Sequence, residues 1–424
     1  MPPLKVHLPA TPTRQKHVVL VSRIFLPEAG AAPIRLAALC HALVEQGYRT
    51  TVLTATAPRN LRTSAASSHP ESVRVRTFPV VRDKAGYVRG YLPYLSFDLP
   101  AFWRILFTHR PDLVVVEPPP TTGVMTRLAC AIRRIPYVYF AADIWSDAAR
   151  VAGSPAPVVA AVTWMERFSM AGAATVLCVS PEFADRLHSI GVVAPIEIVG
   201  NGADLARYTA SGDAEKLDGP YFIYAGTASE VHGAEIFVDA FSVVARDHPD
   251  AKLVFLGQGS SWPELRDRAS RLRDGSVLFK PRVSAEVAAG WLRGAVASLA
   301  SVAPDGYVRA FPTKMYASVA CGTPVIFTGV GPGQTFAAQQ DLGEAVAYHV
   351  DDVAAAMYRA LQKPATRDRR RRIAQWAAAH VSLGAVADIA VSAISAVLET
   401  SRARRPVRSV RLPGQRRNHP HKEW

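Results

Sequence analysis

Cysteine is scarce in this chain of 424 residues: Cys40, Cys130, Cys178 and Cys321 are the four, and no two form a CxxC pair. That argues against a disulfide framework or a clustered-thiolate metal site and for buried free thiols in a reducing cytoplasm. No uninterrupted apolar run approaches the roughly 18–20 residues that span a bilayer. The N-terminal MPPLKVHLPATPTRQKH lacks an apolar segment of leader length, so export is not expected. Acid is nearly missing from the last 24 residues, SRARRPVRSVRLPGQRRNHPHKEW, where seven Arg and one Lys face one Glu, giving +7 of the chain's +14. Basic residues interleaved with stacking rings are also missing there, and no nucleic-acid-binding fold is visible, so nucleic acid is not an expected partner. Pro-interrupted and poor in core formers, the stretch reads as a disordered tail, either simply solvated or held to an anionic membrane surface. The basic run 369–372 would act with it.

What is present is an alternation of strands and helices in two halves. The length predicts two domains, and a hydrophobic content of 49% is that of a well-packed chain. Residues 17–22 read as an apolar strand, and a helix over 32–45 follows, with Leu36, Leu39, Leu43 and Val44 on one face and Gly47 closing it. Strands follow over 49–54, 73–78, 112–116, 137–140 and 175–179, with a helix over 99–108. The second half restarts with strands over 221–225, 252–256, 276–279, 296–300 and 324–327. Its helices fall over 234–246, 262–273, 284–293 and 312–321. This rhythm predicts an α/β protein of two doubly wound, parallel-sheet domains facing a cleft, joined at Gly200-Asn201-Gly202. Three further helices cover 351–361, 366–380 with Thr366 as N-cap, and 383–399, the last with Leu383, Val386, Ile389, Ala390, Ile394 and Val397 on its apolar face.

The most informative stretch is 311–326, FPTKMYASVACGTPVI. Pro312 suits a first helical turn, Cys321-Gly322 ends the helix, and Thr323-Pro324 launches a buried strand. Thr313 and Lys314 fall in the first turn, where open N–H groups and the helix dipole attract an anion. A lysine there is poorly placed for helix stability and well placed to hold a diphosphate. The ligand expected is a nucleotide diphosphate.

Ordered segments over about 17–362 carry a family resemblance. They are FLPEAGAAPIR with the following EQGYRTTVLT, Asp143-Ile144-Trp145, Asn201-Gly202-Ala203-Asp204, Tyr224-Ala225-Gly226 with His232-Gly233, Leu256-Gly257-Gln258-Gly259, and the 311–326 stretch. Together they resemble the family 4 retaining glycosyltransferases of the GT-B fold, especially the bacterial polysaccharide and lipid-linked-sugar subgroup. The resemblance implies a sugar nucleotide held by the second domain, a saccharide or lipid-linked acceptor held by the first, and transfer with retention, without metal or cofactor. It also implies that the last helix returns to the first domain. The expected divisions are a flexible 1–16, an acceptor domain 17–199, a donor domain 200–380, the returning helix 381–400 and the tail 401–424. A cytoplasmic enzyme, peripheral at the inner face of the membrane, is the location implied.

Residue by residue, the resemblance gives catalytic roles to Asp143, Lys314 and Arg309. Glu28, Gly30 and Arg35 match a loop set against the diphosphate or acceptor, in which Ala31 replaces the second glycine; plain packing at a helix start is the other reading. Asp143 matches a polar cleft residue that contacts the sugar or orients the acceptor, or else it caps the next turn. Asp147 lies on the same loop. Where many relatives carry an Arg and a Lys on the diphosphate, this chain has Thr227 and His232 beside Gly226, resembling the subgroup in which Lys314 supplies the cation. The family's paired glutamates are absent. The second matches Ala317, the first falls at Arg309, and Asp305 is the nearest upstream carboxylate. Losing a charged acceptor for the ribose hydroxyls costs about 1.5–3 kcal/mol, so the donor is held differently or the chain is a weakened or non-catalytic relative. A bidentate phosphate contact from Arg309 would offset part of that. Asn201, Gly257, Arg282 and Thr313 complete the substrate-binding set. A sugar-nucleotide epimerase of similar architecture is set aside, because its cleft carboxylate and histidine sets are not located here. Finally, Tyr87, Tyr91, Tyr94, Phe97, Phe102, Trp103 and Phe107 gather with Arg89 and Arg104. They read as a buried helix face or as an interfacial surface near a lipid-linked acceptor.

Overall fold

Short apolar runs between Gly, Pro and charged residues become parallel strands in both halves. The computed structural model describes residues 14–403 apart from 29, 60, 62–71, 83–87, 89–90, 110, 152 and 305–310. Asp305, Arg309, Tyr87, Arg89, the segment before 14 and the tail beyond 403 therefore lie outside the described residues. In the first half β1 (His17–Val21), β2 (Arg49–Ala55), β3 (Val73–Phe78), β4 (Leu113–Val116), β5 (Tyr137–Ala141), β6 (Thr175–Cys178) and β7 (Ile196–Ile198) form a sheet in the order β3-β2-β1-β4-β5-β6-β7. In the second, β8 (Tyr221–Thr227), β9 (Lys252–Gln258), β10 (Val277–Pro281), β11 (Ala297–Val302), β12 (Val325–Gly329) and β13 (Gly343–Val346) run β10-β9-β8-β11-β12-β13. Every pairing is parallel. The central strands HVVLV and LVVV are buried throughout, as strands covered by helices on both faces must be. Strand order reverses between β1 and β4 and between β8 and β11, so the crevices at those carboxyl ends face the cleft.

Two cores flank the first sheet. On one face Val19, Val21 and Val114 meet α2 (Tyr91–Phe107), α3 (Pro120–Arg133) and α5 (Ala156–Ala171) through Phe97, Ile105, Cys130 and Met170. On the other, Val18, Leu20 and Phe140 meet α1 (Ala31–Glu45) through Leu36 and Leu39. That second face also takes α14 (Leu383–Ala403), which returns from the far half with Val386, Ala390, Val391, Ile394 and Leu398 buried. By length and composition 383–400 is apolar enough to cross a bilayer, a run that strict continuity misses because Asp388 interrupts it. In this fold its core-side face is packed. Ile389, expected on that face, is 49% exposed, and Val391 takes the buried place.

The crossing between halves is pinned. The linker residue Ala203 donates its N–H to Val381 at 2.8 Å and accepts from the Leu383 N–H at 3.1 Å. Gly202 permits this approach, since a Cβ there would lie 2.4 Å from the Val381 carbonyl oxygen. Thr366 caps α13 (Arg367–His380) as expected, its Oγ1 accepting from the Arg369 N–H. The basic run that opens α13 is partly engaged by the fold. Arg369 Nε donates to Asp341 at 3.2 Å, Arg372 pairs with the same carboxylate, and Arg370 donates to the Arg293 and Ala295 carbonyls. Arg369 and Arg370 thereby fasten the helix to the second half, whereas Arg371 and Arg372 stay exposed to solvent. All four cysteines are free and buried.

Candidate active site

A cavity of about 760 Å³ lies between the halves, within the range of small-ligand sites. The first half contributes Gly30, Ala31 and Ile34, at the start of α1. The second contributes Gly226 and Thr227 at the end of β8, His232 beyond it, Gly257 at the end of β9, and Arg282 and Glu286 after β10. The sheet edge here is built for close approach. Gly226 and Gly257 lie side by side with φ of 130° and 146°, and a Cβ on Gly257 would sit 2.3 Å from the Gly226 carbonyl oxygen.

Lys314 opens the seven-residue α10 (Lys314–Ala320), with Thr313 as its cap, two residues later than the Pro312 start expected. Its Nζ donates to the Thr227 carbonyl at 3.2 Å and stands 3.5 Å from the centre of the Tyr224 ring. Crowding by protein pulls its pKa well below the usual lysine value, whereas the carbonyl and the ring face both favour the ammonium. We read the two contacts as those of a charged lysine. The first turn supplies fewer open N–H groups than expected, because Met315 N–H is taken by the Pro312 carbonyl and Tyr316 N–H by the Thr313 carbonyl. The lysine, more than the helix end, makes this wall attractive to an anion.

His232 lies next to this charge. Burial first, then Lys314, pushes its pKa down to about 4, so the ring is neutral near pH 7. Its Nδ1 accepts the Ser229 N–H at 3.3 Å, which places the ring proton on Nε2. The site therefore offers a fixed cation and a neutral donor together. Ala317 also lines the cavity, on the turn of α10 after Lys314.

Across the cleft, Asp143 lies between β5 and α4 (Trp145–Val151), accessible to water but crowded by its surroundings. Burial raises its pKa, opposed by Arg35 and then Arg23. Asp143 is not the cap of the next helix. That role belongs to buried Glu166, which accepts the Trp145 N–H at 2.5 Å and a Ser146 N–H at 3.3 Å. Arg35 is off the cavity wall. It forms a buried ion pair with Glu117 at 2.5 Å and lies over the Phe140 ring. Glu28 is likewise engaged, by a two-pronged contact from Arg82 at 2.8 and 2.9 Å. Of the expected site residues, Gly30, Asn201, Gly226, Thr227, His232, Gly257, Arg282, Thr313, Lys314 and Ala317 line one cavity; Glu28, Arg35 and Asp143 stand outside its wall. Sequence reading missed Glu166 and the wall group Arg207, which lies 3.5 Å from Asp204 and 3.4 Å from Glu286. Among the described residues no group of three or more His, Cys, Asp or Glu side chains is placed to hold a metal.

Glu166 gives a pH prediction. Burial pushes its pKa from 4.5 up to about 7, so the folded state holds its proton more tightly than the unfolded chain. The contribution is full below about pH 4.5 and is lost as pH rises through about 7. Glu166→Gln keeps an acceptor for the Trp145 N–H and has no charge to bury. Denaturant titrations should find variant and parent matched near pH 4 and the variant more stable by up to about 3 kcal/mol near pH 8. An unchanged difference across that range would show that this carboxyl is not the source.

With this geometry established, comparison with known proteins gives the class. Residues 30–202 match the glycosyl transferase 4-like domain, and residues 219–363 match glycosyl transferases group 1. The chain belongs to the glycosyltransferases of the GT-B fold. It is 30% identical over 187 residues to D-inositol 3-phosphate glycosyltransferase of Jonesia denitrificans, a match covering 39% of this chain and 43% of that protein. Sucrose-phosphate synthase from Thermosynechococcus elongatus shares the fold at a TM-score of 0.73 and 18% identity, over 91% of this chain and all of that one. Anabaena HepE, solved in complex with UDP and glucose, shares it at 0.67 and 17% identity, over 89% and 99%.

Proposed function

We propose that the protein transfers a sugar from a nucleotide-diphosphate sugar to an acceptor of cell-envelope polysaccharide or glycolipid synthesis, with retained anomeric configuration. One observation carries this reading: the Lys314 ammonium, set on Thr227 and Tyr224 with neutral His232 beside it, in a cavity that both halves wall. As the bond from the sugar carbon to the diphosphate breaks, negative charge grows on the departing phosphate; the acceptor oxygen takes its place on the sugar carbon and gives its proton to that phosphate. A preorganised cation and an N–H donor stabilise that charge more than they stabilise the intact donor. Asp143, at the carboxyl edge of the first sheet, orients the acceptor hydroxyl. Metal and cofactor have no part in this scheme. A cytoplasmic location, with the basic tail drawn to the anionic inner face of the membrane, completes it.

A panel of UDP- and GDP-sugars should reveal one that yields free nucleoside diphosphate and glycosylated acceptor, the anomer being read by NMR. Tight nucleotide binding with no turnover across the panel would instead favour a non-catalytic relative, the reading to which Ala317 points. Glu286 and Asp204 are cavity carboxylates available to ribose hydroxyls in place of the glutamate absent at 317. If the pocket otherwise keeps family geometry, Ala317→Glu should tighten donor binding in calorimetric titration. Weaker binding would mean that the pocket is built around alanine.

A further inference from the structure

Eight of the 13 large apolar side chains exposed among the described residues sit on three helices of the first half. On α2, Leu92, Leu95, Leu99, Trp103 and Phe107 recur at helical spacing and line one solvent-facing stripe. Trp103 and Phe107 are 55% and 79% exposed, with their rings stacked 5.9 Å apart. Beside α2 lies α3, then α5, and they widen the stripe with Leu128, Ile132 and Trp164. The other face of α2 is already in the core through Phe97, Ala101 and Ile105. A helix apolar on both faces, one of them open to water, calls for a partner.

Charge selects the partner. The only carboxylates on these three helices, Asp98 and Glu166, are buried at 1% and 2% exposure. Arg104 and Arg127 are half-buried on the Phe78 and Phe168 rings, Arg133 is half-buried and donates to the Ile105 and Thr108 carbonyls, and Arg167 is exposed. Aromatic rings and leucines framed by arginine, with no exposed acid, are the composition of a surface that lies in the headgroup region of an anionic bilayer. A second copy of the chain fits less well, since a two-fold contact through this face would set its arginines against one another. One end of α2 also lies near Asp143. The Tyr94 ring meets Trp145 at 5.7 Å and the Arg23 guanidinium at 4.7 Å, and Trp145 opens α4 two residues after Asp143.

We propose that the outer face of α2, α3 and α5 docks on an anionic lipid surface, with Trp103 and Phe107 entering the headgroup boundary. This docking does not depend on the transfer reaction or on the tail. The test floats full-length protein with phosphatidylglycerol–phosphatidylcholine vesicles at low and high salt. A Trp103→Gln/Phe107→Gln/Ile132→Gln variant and a chain lacking 404–424 are compared with it. The three replaced side chains are exposed, so melting temperatures should match. The parent and the tail-less chain should float with a fraction that persists at high salt, and the triple variant should partition about tenfold less or worse. Brominated lipid should quench tryptophan emission in the parent and less in the variant. Parent-like flotation of the variant, or binding that vanishes with the tail alone, overturns the proposal. So does a sedimenting dimer that the variant dissolves without any vesicle binding, which would assign the face to a second copy.

Discussion

Replacing Lys314 by alanine should lower transfer by about 10²–10³-fold and weaken UDP or GDP binding several-fold, because a preorganised charge aimed at a developing anion is lost from a partly desolvated site. Lys314 is held before ligand arrives, by the Thr227 carbonyl and the Tyr224 ring, so no reorganisation is needed when the diphosphate departs. The two losses should differ in size. Donor and departing diphosphate both contact the lysine, but the charge is greatest at the departing stage, so turnover falls further than affinity. Calorimetry with UDP and GDP beside steady-state kinetics separates the two. Unchanged nucleotide affinity in the variant would remove the diphosphate from this wall.

Arg35→Met should destabilise the fold by about 3–5 kcal/mol, since it strands the Glu117 carboxylate where it is 3% exposed. If Arg35 instead served mainly to bind substrate, the same change would cost activity and leave the melting transition in place. The double variant Arg35→Met/Glu117→Leu should recover most of the loss, because no buried charge is then left alone. Denaturant titrations of the two single variants and the double one complete the cycle. Additive losses would argue that the pair is not coupled. Some loss of activity should persist even in the stable double variant, because the Arg35 charge also acts on Asp143.

The difference between Lys314 and Arg35 shows what sequence can carry. Lys314 was legible because its context is local: a lysine where a helix opens, with its strand and turn residues within a dozen positions. Arg35 was not, because Glu117 lies 82 residues away and only the fold makes them neighbours. The central strands announced themselves as unbroken apolar runs. Edge strands β7 and β13 did not, since IEI and GEAV are short, half-open to water and carry a glutamate each. The start of α2 was misread. The helix expected over 99–108 begins at Tyr91 and carries Pro100 inside, where a proline gives up the N–H bond to the Ser96 carbonyl. The aromatic cluster allowed two readings, and the structure divides it: Phe97 belongs to the core, and Trp103 and Phe107 face outward.

The chain passes between its halves twice, once through the linker after β7 and once before α14, and both passages meet where Ala203 is laced to Val381 and Leu383. Two tethers fastened at one point leave little freedom to slide and leave rotation as the cheap motion. A rotation of one half on the other about this point would change the separation of Lys314 and Asp143. Gly202 sits at this lacing and on the cavity wall, so a side chain added there would press on Val381 and Leu383 and disturb the joint and the cavity together.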